Sequence, residues 1–276
     1  MRAAVIQMTS GIDPVVNAAA LVSALEEAKA GGAGIAFTPE MTGLLDRDRA
    51  RASAHIRCEA DDPVLATARG AAARLGLWVH LGSLALRQEG GDGRLVNRGF
   101  LIDDKGAIRA RYDKLHLFDV DLATGESWRE SAAYAPGAGA MTAETPAGRL
   151  GLSICYDLRF PALYQALSEA GAELLAIPAA FTVPTGKAHW HVLLRARAIE
   201  NACFAIAAAQ SGRHEDGRAT YGHSLVIDPW GEVLLDMGEG AGVGFAEIDL
   251  ARVAEARTRI PVLAHRRLIP PVERAA

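Results

Sequence analysis

The chain is poor in cysteine and aromatic residues, and it has no long apolar run. Its three cysteines, Cys58, Cys155 and Cys203, are scattered through 276 residues. An odd and widely spaced set excludes a disulfide framework and suits a reducing compartment. The apolar start, residues 1–8, is too short for a signal peptide, and no stretch approaches the roughly 20 apolar residues that span a bilayer. No charge of one sign dominates either. Lys and Arg total 29 against 33 Asp and Glu, a net charge of −4 with the signs interspersed, so no basic stripe offers itself to a phosphate backbone. These absences predict a soluble, cytoplasmic protein with no nucleic-acid and no membrane partner. Low-complexity tracts, internal repeats and linkers are also missing. Residues 1–276 therefore read as one domain, with a C-terminal tail from about residue 261 expected to pack on a partner subunit.

What the chain has in quantity is apolar residues, 50% of the total, arranged in an α/β rhythm. Short β-rich runs are expected at 3–8, 34–38, 77–86, 96–102, 107–112, 149–154, 173–178, 204–209, 224–228, 233–237 and 243–247. Helical spacing marks 14–30, 63–75, 161–170, 189–201 and 250–259. The segment Asp228-Pro229-Trp230-Gly231 should turn one strand into the next, and the glycine-rich 238–244 reads as a hairpin loop. So many strands exceed a simple wound sheet. They predict two packed sheets with helices outside, an α/β four-layer αββα sandwich.

Cys155 falls where the strand pattern ending at Ile154 gives way to helical spacing from Leu158. Amide N–H groups and a helix dipole at such an elbow favour a thiolate and an oxyanion beside it. Two further strand ends carry complementary groups: Glu40 closes Phe37-Thr38-Pro39-Glu40, and Lys114 follows Arg111-Tyr112-Asp113. Each alone reads as a surface charge. Together they offer a base, an oxyanion stabiliser and a nucleophile. His116 and His223 could serve as bases on residue type alone, though structural roles are commoner. His189-Trp190-His191 mimics a metal pair, but residues two apart on a helix face different ways, so no metal is expected.

These residues carry a resemblance to the nitrilase, or carbon-nitrogen hydrolase, superfamily. Its motifs occur in order as Phe37-Thr38-Pro39-Glu40, Tyr112-Asp113-Lys114-Leu115-His116-Leu117-Phe118 and Gly151-Leu152-Ser153-Ile154-Cys155-Tyr156-Asp157-Leu158-Arg159-Phe160-Pro161. A fourth segment, Trp128-Arg129-Glu130-Ser131, matches the family's second glutamate at Glu130, with Glu126 a nearby competitor. The resemblance implies an αββα sandwich of the nitrilase type, dimers or larger homo-oligomers, and no metal or organic cofactor. It implies a cysteine-dependent amidase converting a small linear amide to a carboxylic acid and ammonia through a thioester. Glu40, Lys114, Cys155 and Glu130 would be catalytic, and Tyr156 would supply an oxyanion N–H. Arg159, Phe181, Thr182, His189, Arg213 and His214 would meet substrate, with Arg197 a further partner for a substrate carboxylate. The downstream segments 178–181, 185–190, 194–201 and 221–224 resemble the branch that holds deaminated-glutathione amidase and ω-amidase, and 208–214 leans toward the former. Lys187 and His191 depart from that branch, which often has proline and usually glutamate there. An ω-amidase acting on α-ketoglutaramate or α-ketosuccinamate, an N-carbamoyl hydrolase and a catalytically silent metabolite-binding scaffold are the alternatives.

Overall fold

A computed structural model describes residues 1–274 apart from 89, 91, 122–124 and 126. Two six-stranded sheets form its centre. In the first, Arg2–Gln7, Ile35–Phe37 and Trp78–Arg87 pair in parallel, and Gly242–Glu247, Leu95–Ile102 and Ile108–Asp113 join antiparallel at the sides. The second repeats the scheme: Gly148–Leu152, Leu174–Ala176 and Phe204–Ala207 are parallel, and Leu225–Ile227, Val233–Asp236 and Met141–Thr145 are antiparallel additions.

Alternation of side chains along each strand explains the layering. Ala3, Val5, Ile35 and Phe37 point into a core shared with Leu150, Leu152, Leu174 and Ile206 of the second sheet. Their neighbours Ala4, Ile6 and Ala36 point the other way, onto Leu21 and Leu25 of the helix Pro14–Ala30 and Val64, Leu65 and Ala68 of the helix Pro63–Leu75. The helices Pro161–Glu169 and Val183–Asn201 cover the second sheet with Tyr164, Trp190 and Leu194. Both faces of the central strands are buried, so they read as continuous apolar runs. The four-layer αββα architecture follows.

Every expected strand and helix forms, with differences at one helix start, at one loop and in short elements that were not expected. The long helix begins at Val183, six residues before its apolar pattern, because Pro184 in its first turn is already set at a helical φ. The segment 238–244 is not a hairpin loop: it carries the chain from Val233–Asp236 in one sheet to Gly242–Glu247 in the other. Gln7 Nε2 holds that crossover by donating to the carbonyls of Gly238 (3.0 Å) and Gly240 (2.6 Å). Met141–Thr145 is an edge strand that polar composition hid, and Asp119–Asp121 with Ser127–Arg129 forms a two-stranded ribbon over the site described next. The tail after His265 is extended, with Leu268 fully exposed. Among the described residues, no helix is long and apolar enough to cross a membrane.

Candidate active site

Three strand ends bring Glu40, Lys114 and Cys155 together. Glu40 follows Ile35–Phe37, Lys114 follows Ile108–Asp113, and Cys155 lies three residues beyond Gly148–Leu152. All three side chains are buried. Lys114 Nζ donates to Glu40 Oε1 at 2.8 Å and to both oxygens of Glu130 at 2.9 and 3.1 Å. Glu40 Oε2 accepts the Ala180 N–H at 3.1 Å, and the Cys155 thiol lies beside the same carboxylate. Glu130 is fixed by the Phe118 N–H at 2.6 Å. Glu126 lies outside the described residues.

Burial by itself would raise the Glu40 carboxyl, but the Lys114 ammonium, the neighbouring Cys155 thiol and the hydrogen bonds from Lys114 and Asn97 hold it below its ordinary value. Burial opposes charge on Lys114, and the carboxylates of Glu130 and Glu40 reverse that effect and push it well above the ordinary lysine value. Burial and then the Glu40 carboxylate drive the Cys155 thiol well above its usual range, with Lys114 only partly compensating. The resting site is therefore thiol, carboxylate and ammonium. This corrects the expectation of a thiolate favoured by a helix start. Cys155–Arg159 is a 3-10 turn, and the α-helix begins only at Pro161, so the dipole at the sulfur is weak while burial is nearly complete.

The elbow itself is tightly built. Cys155 has φ +50°, in the left-handed region that costs a non-glycine residue about 1–2 kcal/mol. Its own N–H is spent on Pro178 O at 2.8 Å. Asp157, fully buried, anchors the turn: its carboxylate accepts from Ile154 N (2.9 Å), Tyr112 Oη (2.7 Å) and His116 N (3.0 Å), and lies 2.7 Å from His116 Nδ1. His116 also stacks on Phe160 at 3.6 Å. It braces the turn and is not placed to serve as a base.

The site opens into a cavity of about 810 Å³ that includes Phe118, Trp128, Tyr134, Tyr156, Phe181 and Thr182. Arg47, Arg49, Arg129, Arg159 and Arg218 complete its wall. Arg129 pairs with Asp121 and Arg218 with Asp216. Among the described residues, Arg47, Arg49 and Arg159 have no carboxylate partner, and Arg49 donates to the Arg129 carbonyl at 2.7 Å. Of the expected substrate contacts, Arg159, Phe181, Thr182 and Tyr156 line this cavity. His189 stands behind Arg159, 3.3 Å from its Nη1. Arg213 and His214 are elsewhere. Arg213 is exposed on the short strand Ser211–Arg213, and His214 is buried with its ring held by Ser10 O (2.8 Å) and Thr220 Oγ1 (2.7 Å). The turn that follows, closed by Gly217 N donating to His214 O, returns the chain so that Arg218 faces the cavity instead. Arg197 is buried and donates twice to Leu158 O (2.7 and 3.0 Å), bracing the elbow from the helix.

Sequence reasoning missed Asn97. Its Nδ2 donates to Glu40 Oε1 at 2.9 Å and Glu130 Oε1 at 3.3 Å, tying the two carboxylates to one strand. An amide inside the apolar run 95–102 was the available signal.

The carbon-nitrogen hydrolase family model matches residues 2–258. The chain belongs to the carbon-nitrogen hydrolase family. This hydrolase is 39% identical over 267 residues to the deaminated glutathione amidase of Yersinia enterocolitica, covering 96% of the chain and 93% of that protein. Its fold matches the nitrilase and fragile histidine triad fusion protein of Caenorhabditis elegans with a TM-score of 0.89 and 40% identity, covering 96% of the hydrolase and 65% of that longer chain. It also matches an amidase from Nesterenkonia sp. AN1 with a TM-score of 0.81 and 26% identity, covering 97% and 94% of the two chains. That structure is of a mutant with the acetamide moiety of fluoroacetamide added covalently at the active site cysteine. The hydrolase is an amide-cleaving enzyme, as its family and these relatives establish.

Proposed function

We propose that this hydrolase cleaves deaminated glutathione, with Cys155 as nucleophile. Glu40 accepts the thiol proton as Sγ adds to the amide carbonyl, and Lys114 with the Tyr156 N–H stabilises the oxyanion. Glu40 then donates that proton to the leaving nitrogen, the C–N bond breaks, and a thioester remains. A water deprotonated by Glu40 attacks the thioester, giving a carboxylate and restoring the thiol. Glu130 and Asn97 keep Lys114 and Glu40 aligned, and no metal or organic cofactor enters these steps. The Nesterenkonia neighbour's covalent adduct on its own cysteine supports the same role for Cys155.

The observation that carries the substrate is the cavity. At about 810 Å³ it suits a ligand much larger than a five-carbon amide, and its arginines suit an anion. Deaminated glutathione carries a carboxylate at each end. Arg159, which sits over the rings of Tyr156 (6.0 Å) and Phe181 (5.5 Å) beside the nucleophile, suits the keto-acid end. Arg47 and Arg218 suit the glycine end. The bond cut joins the keto-acid arm to cysteinylglycine, so the first product is a dipeptide amine, in place of the ammonia expected from a primary amide. The test compares α-ketoglutarate release from deaminated glutathione and from α-ketoglutaramate. A higher kcat/KM for the former is expected, falling in Arg47→Ala while the value for α-ketoglutaramate holds. Preference for the smaller amide would make the enzyme an ω-amidase.

We also propose homo-oligomers. Val192 and Ile199 on the outer helix and Leu268, Ile269 and Val272 in the tail are exposed, an apolar surface that a partner subunit would cover.

A further inference from the structure

The same helical spacing that separates His189 from His191 gives each a different neighbourhood. His189 meets Arg159 near the cavity, whereas His191 turns to the outer side and meets two residues from distant parts of the chain. His191 Nε2 lies 3.0 Å from Asp236 Oδ2, and His223 Nδ1 lies 2.9 Å from Asp236 Oδ1. One ligand atom from each of the three residues falls within 4.8 Å of the others. They come from three elements: the helix Val183–Asn201, the segment after Ala219–Tyr221, and the end of Val233–Asp236.

We propose that His191, His223 and Asp236 bind a borderline divalent transition cation such as Zn²⁺, outside the catalytic cavity. Two imidazoles and a carboxylate are the donor set such cations prefer, with a water completing the shell. Bonds of about 2.0–2.1 Å in a tetrahedral site put ligand atoms about 3.3 Å apart, so the two His–Asp pairs open by a few tenths of an ångström while the two ring nitrogens, within 4.8 Å of each other, draw together onto one cation. In the metal-bound form each ring presents the lone pair of the nitrogen facing Asp236 and carries its N–H on the other nitrogen.

His223 is held for this. Its backbone donates to Gly238 O at 2.7 Å and accepts from Trp190 Nε1 at 2.7 Å, its φ is +52°, and Tyr221 stacks on its ring at 4.4 Å. Asp236 is steadied by the Gly238 N–H at 2.9 Å. His191 completes the set from the helix, edge-on to the rings of Tyr221 (6.2 Å) and His223 (5.2 Å).

Equilibrium dialysis of chelator-treated protein against Zn²⁺ tests the site, carried out in a Cys155→Ala background so that the catalytic thiol cannot compete. One equivalent per chain is expected, with affinity at least tenfold weaker in His191→Ala and in Asp236→Asn. Co²⁺ in place of Zn²⁺ should give visible d–d bands without thiolate charge-transfer absorption. His191→Ala is a half-exposed helix position and should fold normally, which thermal unfolding without metal checks. Absence of saturable binding in Cys155→Ala, or unchanged affinity in both ligand variants, overturns the proposal. Neither result bears on the amidase reading.

Discussion

At the scale of single residues, the central fact is that Cys155 rests as a thiol. Its burial and the adjacent Glu40 carboxylate hold the proton on sulfur, so in the proposed mechanism reactivity depends on substrate arriving and Glu40 taking the proton. Glu40→Gln removes that acceptor and should lower kcat by about 10²–10⁴-fold in steady-state assays. The pH dependence has a definite sign. The Glu40 carboxyl is held below 4.5, so its contribution to stability is complete above that value and is lost as pH falls through the lower folded value. Lys114 is held above 10.5, so its contribution is complete below that value and is lost only as pH rises through the higher folded one. Urea unfolding of wild type and Glu40→Gln across pH should show a constant gap through the neutral range that narrows only in acid. A gap closing near neutrality would contradict the ion-pair assignment. Lys114 sits between two carboxylates. Lys114→Gln leaves them buried without a counter-charge, and the expected loss of stability is about 3–5 kcal/mol.

At the scale of elements, strain and close approach position Cys155 and Glu40, the proposed nucleophile and base. Cys155 takes a positive φ because Asp157 ties Ile154, Tyr112 and His116 into one turn. Cys155→Gly should therefore be more stable than Cys155→Ala by about 1 kcal/mol in denaturant titrations, since glycine carries no penalty there. Equal stabilities would mean the elbow is unstrained. Gly82, in the strand beside Glu40, has no room for a side chain: a Cβ would overlap the carbonyl oxygens of Thr38 and Pro39. Gly82→Ala should push the Glu40 loop outward, cutting kcat and lowering stability together, measurable by kinetics alongside thermal unfolding. The strand ends bearing Glu40, Lys114 and Cys155 were legible in the sequence because apolar runs stop abruptly at them. The turn chemistry at 214–218 was not legible. Periodicity says nothing about which arginine a reverse turn aims inward, so Arg213 reads from sequence as a substrate contact and Arg218 carries no signal. His214 likewise reads as a contact, whereas it is a buried structural ring.

At the scale of the whole molecule, two sheets of the same plan pack face to face, and the residues meeting at the site come from both. Glu40, Asn97 and Lys114 belong to strands and strand ends of the first sheet, and Cys155 and Ala180 follow strands of the second. Layering could be read from strands too numerous for one sheet and from helices alternating with them. The pairing order could not, because the short runs 35–37 and 174–176 carry no local mark of their neighbours. Nor could the wall of the cavity, which is assembled from segments near 47, 128, 159 and 218. The account of function rests on this convergence, and its central claim is that amide cleavage passes through an acyl group on Cys155. Rapid quenching of the enzyme with deaminated glutathione, followed by peptide mass analysis, tests it most directly. The account predicts an α-ketoglutaryl adduct on the Cys155 peptide, formed at a rate no slower than turnover and absent in an inactive Cys155→Ala protein. Undiminished turnover by Cys155→Ala would contradict it.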